Sequence, residues 1–201
     1  MTDNPSVYLR HVRDTDRQEF VDLMRASRQI HAPWITPPTS PASFAQYMAR
    51  TRTADHEGFI IARYLDDNIV GVINLNNVVR GSFLNASLGY YAGAPYVGQG
   101  YMAQGLELVK RYAFDTMNLH RLEANIQPSN TRSIALVKRA GFALEGLSER
   151  FLFIEGKWRD HERWSCVAER DSMLPKNASA ALAGSSPNLS PNPPPSPSTH
   201  S

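Results

Sequence analysis

Cysteine is nearly absent from this sequence: Cys166 is the single one among 201 residues, so no disulfide can form within the chain. A lone cysteine is typical of proteins in a reducing compartment. Charged side chains interrupt the first thirty residues throughout, which excludes the apolar segment of a secretory signal. No run approaches about 18 uninterrupted apolar residues, the length that a transmembrane helix needs. We therefore expect a cytoplasmic protein with no membrane partner.

An excess of charge of one sign is also missing. The 21 basic and 19 acidic side chains give a formal net charge of +2. Nucleic-acid-binding domains usually carry a concentrated basic stripe, so we expect no nucleic-acid partner. The histidines His11, His31 and His56 lack the mutual spacing of metal ligands, and we expect no metal.

Proline is unevenly distributed, because seven of the 14 prolines lie in residues 175–201. This segment has one charged side chain, Lys176, and almost no large apolar ones. Such a composition cannot offset the conformational entropy that ordering costs. We expect residues 1–174 to form a single domain and residues 175–201 to form a disordered Pro/Ser-rich tail.

Strand and helix patterns alternate along most of the chain, in the order β-α-α-β-β-β-α-β-α-β-β. Thr15 opens a capping-box pattern for the first helix. Ser40, followed by a proline, begins the second helix. Asn130 or Ser129 caps a short later helix. The pattern predicts one domain that mixes strands and helices.

A glycine-rich turn, Gly98-Gln99-Gly100, lies between a predicted strand and the start of a long helix. Glycines let the backbone approach a ligand closely, and a helix N-terminus adds positive potential, so a diphosphate can bind without a basic side chain. The residues leave two interpretations open, a phosphate site and a plain tight turn. A Walker loop and the dinucleotide fingerprint are excluded, because neither spacing is met.

A series of short stretches between Val7 and Cys166 is more specific than any single motif. In order, the stretches are Asn77 to Phe83, Leu88 to Tyr90, Gly98 to Met102, His120-Arg121, Ala124-Asn125, Pro128, Asn130, Arg132-Ser133, Gly141-Phe142, Glu145-Gly146 and Gly156 to His161. With this series the chain resembles the GNAT superfamily, and within it the bacterial ribosomal-protein-alanine N-acetyltransferases.

The resemblance implies an α/β (α+β) GNAT fold, with a splayed, mixed and mostly antiparallel sheet of about seven strands flanked by four helices. It also implies acetyl-CoA as co-substrate. The pantetheine arm would pair with the backbone of Tyr91 and Ala92, while Asn130 and Ser133 would meet the pantetheine and the sulfur. The diphosphate would bind the backbone amides of Val97, Gly98, Gln99, Gly100, Tyr101 and Met102.

The chain departs from the family pattern at two places. The glycine loop of the superfamily usually begins with Arg or Gln and ends with Gly or Ala, where this chain has Val97 and Met102. Many members also use a tyrosine to protonate the leaving thiolate, and that position is Val137 here. The role of the acid therefore falls to Ser133 or to a water.

The position of the general base in the family carries Asn125, which is not basic. Glu123 lies two residues earlier on the same strand face, where it could act through a water or be structural. At pH 7.3 roughly a fifth of an α-amine is neutral, against ~0.1% of a lysine side chain. A site without a strong base therefore suits an α-amine. A backbone N–H near Tyr91 is the expected oxyanion donor.

Three side chains are candidates for binding the acceptor: Trp34 in a proline-rich loop, Arg80 after the third strand, and Trp158 in the last hairpin. For each, a plain structural role stays open. His120 and His161 are interpreted as structural residues rather than catalysts.

These observations predict an enzyme, an acyltransferase that moves acetyl from acetyl-CoA to an amine by direct attack through a tetrahedral intermediate. The expected acceptor is the N-terminal α-amine of a protein, with a ribosomal protein as the candidate. Two alternatives remain: an acetyltransferase for a small amine such as an antibiotic, polyamine or amino acid, and a non-catalytic acyl-CoA-binding module. The sequence allows a monomer or a homodimer.

Overall fold

Seven β-strands and five α-helices follow one another along residues 6–169, the part of the chain that the computed structural model describes. The predicted tail and its boundary lie outside these residues. In chain order the elements are β1 (Val7–His11), α1 (Arg17–Ala26), α2 (Arg28–His31), α3 (Pro41–Thr51), β2 (Glu57–Arg63), β3 (Ile69–Val79), β4 (Asn85–Ala92), α4 (Tyr101–Arg111), β5 (Arg121–Ile126), α5 (Thr131–Arg139), β6 (Ala143–Ile154) and β7 (Lys157–Val167).

The predicted order is confirmed, with one added element. The four predicted helices are present, and α2 is a further single turn. The capping box at Thr15 is wrong, because Thr15 lies inside a 3-10 turn and α1 begins at Arg17. The Asp16 carboxylate organises this entry instead, accepting hydrogen bonds from the Arg13 amide at 2.7 Å and from the Arg10 guanidinium at 2.8 Å. No helix within residues 6–169 is long and apolar enough to cross a bilayer.

The seven strands form one sheet in the order β1-β2-β3-β4-β5-β7-β6. Neighbouring strands are antiparallel except β4 and β5, which run parallel. One face of the sheet packs against α4 and α5, and the other packs against α1 and α3. The predicted mixed and mostly antiparallel sheet is therefore confirmed.

The parallel pair is short. Pairing runs from Asn85–Ser87 on β4 to Arg121–Glu123 on β5 and then stops. Beyond it, β4 stays paired with β3, while β5 stays paired with β7. The two halves of the sheet therefore separate, and a cleft opens between the end of β4 and the end of β5.

Helix α4 lies unusually close to the strands beneath it, and Gly105 is the reason. A Cβ atom at Gly105 would stand 2.3 Å from Cδ1 and 2.8 Å from Cγ1 of Ile61, both shorter than any ordinary contact. Leu106 and Val109 on the same helix face are fully buried. This close approach fixes the height of the helix N-terminus above the sheet.

We expect Gly105→Ala to lower the free energy of unfolding by about 1–3 kcal/mol, because the added methyl overpacks the core. Without the steric clash, alanine in place of glycine would stabilise the helix by about 1 kcal/mol. A loss of stability therefore identifies the clash. Ile61→Val removes the clashing Cδ1 atom, and the double variant should lose less than the two single losses added. Urea denaturation measures all three. A Gly105→Ala protein as stable as the wild type would contradict the close packing.

Candidate active site

The cleft between the separated strands holds a cavity of about 90 Å³. Its walls come from β4, β5, the loop after α2, the start of α5 and β7. No Asp, Glu, Lys or Arg is among the residues that line it, so the cavity is polar but uncharged. The lining residues are Trp34, Ile35, Leu88, Gly89, Tyr90, Ala124, Asn125, Ile126, Gln127, Asn130, Ser133 and His161.

The cleft is open to both faces of the sheet. Ala124 and Ile126 belong to the core layer under α4 and α5. Asn125 lies between them in the strand, so its side chain points to the other face. Ile35 packs against the layer of α1 and α3 and also lines the cleft. Two groups can therefore enter from opposite faces and meet at the gap between the strands.

On the α5 face, two hydroxyl groups are joined. The Tyr90 hydroxyl and Ser133 Oγ are 2.5 Å apart, and Asn130 Oδ1 accepts the Ser133 amide proton at 3.2 Å, which caps α5. Burial raises the pKa of Tyr90 to about 12, with the Ser133 hydrogen bond acting in the opposite direction. The phenol therefore keeps its proton at neutral pH, and the pair can donate a hydrogen bond into the cleft.

On the opposite face, three polar groups meet the cleft without charge. Asn125 Oδ1 and Gln127 Nε2 are buried, and neither has a hydrogen-bond partner within the described residues. His161 Nδ1 lies 3.0 Å from the carbonyl of Arg159 and must donate to it, which leaves the lone pair on Nε2. Burial lowers the pKa of His161 below its usual 6.5. The imidazole is therefore a neutral base at pH 7.

The open edge of β4 is the third feature. The Gly93 amide donates to the Val70 carbonyl at 2.9 Å. Alternation along the strand then directs the backbone of Tyr91 to β3, and that of Tyr90 and Ala92 to the cleft. The Ala92 carbonyl already accepts from His31 Nε2 at 2.8 Å. The backbone contact expected at Tyr91 therefore falls on Tyr90 and on the Ala92 amide, and the buried Tyr91 ring belongs to the core.

The glycine turn stands beside this edge. Gly98 and Gly100 have φ of 81° and 82°, and a Cβ at either would meet no atom within 4 Å. The amides of Gly98, Gln99 and Gly100 form no backbone hydrogen bond within the described residues, whereas the Val97 amide donates to the Ala94 carbonyl at 3.4 Å. The first amides of α4, from Tyr101, are also free of helical partners. This arrangement fits a diphosphate on the amides from Gly98 onward, with Val97 outside it.

Of the predicted catalytic and acceptor-binding residues, three do not line the cavity. Glu123 accepts from Arg121 Nε at 2.7 Å and from Arg163 Nη2 at 3.1 Å, which favours the structural reading of this carboxylate. The exposed Arg80 donates to the carbonyl of Met117. Trp158 is 61% exposed and is absent from the cavity lining.

Asn125, Asn130, Ser133 and Trp34 all line this cavity, and the roles expected of them stay predictions. Sequence reasoning missed Tyr90, Gln127 and His161. Alternation along a strand puts the Tyr90 and Tyr91 side chains on opposite faces of the sheet, but it does not show that Tyr90 meets Ser133. Gln127 and His161 lie one step beyond the last paired positions of β5 and β7, so a correct strand register would have found them. No group of three His, Cys, Asp or Glu side chains within residues 6–169 is arranged to hold a metal ion.

Comparison with known proteins gives a consistent result. Residues 6–143 match the family model described as Acetyltransferase (GNAT) domain. The chain is 34% identical over 161 residues to the ribosomal protein uS5-alanine N-acetyltransferase of Escherichia coli, covering 76% of this chain and 83% of that one. It is 28% identical over 170 residues to the probable N-acetyltransferase YjcK of Bacillus subtilis, covering 81% and 94%. RimJ of Mycobacterium smegmatis, solved with CoA-disulfide, has a TM-score of 0.75 at 30% identity, covering 89% of this chain and 90% of that one.

The cap of α5 gives a stability prediction. Asn130→Ala removes the oxygen that accepts the Ser133 amide proton, and we expect the free energy of unfolding to fall by about 1 kcal/mol. Ser129→Ala is the matched control, because its side chain forms no hydrogen bond within the described residues. Urea denaturation without ligand measures both. A loss confined to Ser129→Ala would contradict the assignment of the cap to Asn130.

Proposed function

This chain belongs to the GNAT acetyltransferase family, and we propose that it transfers acetyl from acetyl-CoA to the N-terminal α-amine of a protein. The coarser activity, acetyl-CoA-dependent N-acetyl transfer, follows from the family itself. The nature of the acceptor is the proposal, and the E. coli relative, named for an alanine of ribosomal protein uS5, supports a ribosomal protein.

The uncharged cleft is the observation that carries the choice of acceptor. Polyamines and aminoglycosides bear several ammonium groups at neutral pH, and a site for them needs carboxylates. A free amino acid brings a carboxylate, which needs a cation. The cavity lining offers neither. A peptide N-terminus presents one amine followed by neutral amide groups, and this is the acceptor whose charge agrees with the lining.

The two faces of the cleft suggest how the substrates are arranged. The amides from Gly98 to Met102, the open edge of β4, and Asn130 with Ser133 would hold acetyl-CoA on the α5 face. The acceptor amine would then enter on the face of Trp34 and Asn125. This arrangement presents the thioester carbonyl to the amine across the gap between the strands.

The reaction can be written with these groups. The lone pair of the neutral amine forms a bond to the thioester carbon, and the carbonyl electrons move to oxygen, which the Ala92 amide stabilises. His161 Nε2 accepts the proton that the new C–N bond makes acidic. The C–S bond then breaks, and the Tyr90–Ser133 pair supplies a proton to the thiolate. Val137, at the position where many family members have a tyrosine, is fully buried in the core and has no hydroxyl. Tyr90 provides the hydroxyl instead.

The acceptor is tested by following thiol release from acetyl-CoA with peptides beginning with Ala, Ser, Thr or Met, and with spermidine, an aminoglycoside and free alanine. We expect turnover with the peptides, with the acetyl group at the α-amine by mass spectrometry. The matched control is the same peptide with a formylated N-terminus and an internal lysine, which should not react. Acetylation confined to the small amines would reject the proposed acceptor.

Two variants test the proton transfers through the pH dependence of kcat/KM for a peptide. In the wild type, log kcat/KM should fall with slope one below the α-amine pKa of about 8, and with slope two below the lowered pKa of His161. His161→Gln should abolish the second slope. Ser133→Ala should lower kcat about 100-fold at every pH. An unchanged profile in His161→Gln, or an unchanged kcat in Ser133→Ala, would remove that residue from the reaction; Ser129→Ala is the control.

A further inference from the structure

Two buried side-chain atoms in the cleft have no hydrogen-bond partner within residues 6–169. The carbonyl oxygen Oδ1 of Asn125 and the amide nitrogen Nε2 of Gln127 are both inaccessible to solvent, and no described residue forms a hydrogen bond with either. Gln127 is only 8% exposed as a whole residue. Buried polar groups in proteins are nearly always paired, so a pair that shares one cavity points to a ligand that supplies both partners.

The two groups differ in what they require. Asn125 Oδ1 can only accept a hydrogen bond, whereas Gln127 Nε2 can only donate. They lie two positions apart along the chain and line the same cavity. The matching ligand therefore carries an N–H donor and, a few bonds away, an acceptor oxygen. An α-amino carbonyl unit has this order of groups, with the amine nitrogen and the first peptide oxygen separated by two carbons.

We propose that Asn125 and Gln127 together recognise the α-amino carbonyl unit of the acceptor, an inference that rests on the proposed function. Asn125 Oδ1 accepts an N–H of the α-amine, which leaves the nitrogen lone pair free for the thioester. Gln127 Nε2 donates to the carbonyl oxygen of the acceptor's first residue. The pair is a specificity-determining device, distinct from the groups that move protons.

The Asn125–Gln127 pair distinguishes between acceptor amines that do not differ in charge. A lysine side chain or a monoamine fits an uncharged cavity, but it has no carbonyl beside its amine carbon. Gln127 Nε2 would then stay buried and unpaired in the complex, which disfavours these acceptors. A peptide N-terminus satisfies both groups whatever its first side chain is. The pair therefore selects the N-terminus as such, and other parts of the cleft choose the residue.

The first comparison uses two acceptors and three proteins. One acceptor is a short peptide beginning with alanine; the other is its trans-alkene isostere, in which CH=CH replaces the first peptide C(=O)–NH. The proteins are the wild type, Gln127→Met, and Gln18→Met as a matched control, because Gln18 lies on the exposed side of α1 and bonds only to Asp22. Any difference in amine pKa between the acceptors is common to all three proteins and cancels from the comparison.

We expect Gln127→Met to lower kcat/KM for the peptide about tenfold and to leave the isostere unchanged, so that the preference for the peptide disappears. The melting temperature without ligand should not fall, because methionine removes a donor that has no partner. Gln127→Glu, which replaces the donor by an acceptor at constant size, should give the same loss of preference if the methionine variant folds poorly. Asn125→Leu should lower kcat/KM for both acceptors alike, because both carry the amine.

The outcomes separate this inference from the function on which it rests. In one outcome, the wild-type enzyme acetylates the peptide, and its preference for the peptide over the isostere survives in both Gln127 variants. This result overturns the role of Gln127 and leaves the proposed function standing. Asn125→Leu that retains full activity on both acceptors overturns the role of Asn125. A wild-type enzyme that acetylates spermidine and no peptide α-amine overturns the proposed function, and the inference with it.

Discussion

The three-residue parallel pairing between β4 and β5 is the constraint on which the site depends. If the pairing continued, the sheet would be closed, and the backbone of Tyr90 and Ala92 would be used inside it. The far end of β4 is held away from β5 by other contacts. His31 donates to the Ala92 carbonyl, and Ser27 Oγ accepts from the Ala94 amide at 2.8 Å, so the helical segment before the Trp34 loop fastens the open edge. Specific hydrogen bonds of the fold therefore keep the cleft open.

A cleft through a sheet also separates the two sets of chemical groups. The Tyr90 and Ser133 hydroxyls lie on the α5 face, where the proposed reaction uses a proton donor for the thiolate. The Asn125 amide and the neutral imidazole of His161 lie on the other face, where the proposed reaction uses a base for the amine. In the proposed arrangement, this placement lets the co-substrate bind on the α5 face without covering the site of the amine.

Local signals in the sequence predicted the elements well, because strand alternation, helix periodicity and caps such as Ser40 act over a few residues. The local pattern gave a wrong prediction at Thr15, because the Asp16 carboxylate accepts the hydrogen bond of the Arg13 amide just before the helix. For the candidate site, the sequence pointed to Asn130 and Ser133, which lie one turn apart at the start of a helix and line the cavity. The opposite half depends on the register of β5 against β7, in which Asn125 faces Arg163 across 38 positions of chain. No pattern within either strand encodes that register, so Gln127 and His161 could not be placed.

The charged side chains next to the uncharged cleft are paired with one another. Glu123 accepts from Arg121 and Arg163, and Glu145 accepts from Arg121 and from Ser165 Oγ at 2.7 Å, which ties β5, β6 and β7 together. The Arg121 guanidinium is the main reason that the pKa of Glu145 is lowered to about 2, so the Glu145 carboxylate stays ionised at any physiological pH. The network holds β5 and β7 in the register in which Asn125 lies opposite Arg163. The ion pairs thus hold the neutral groups of the cleft in place. Because their charges are paired with each other, none is available to bind an amine or a carboxylate.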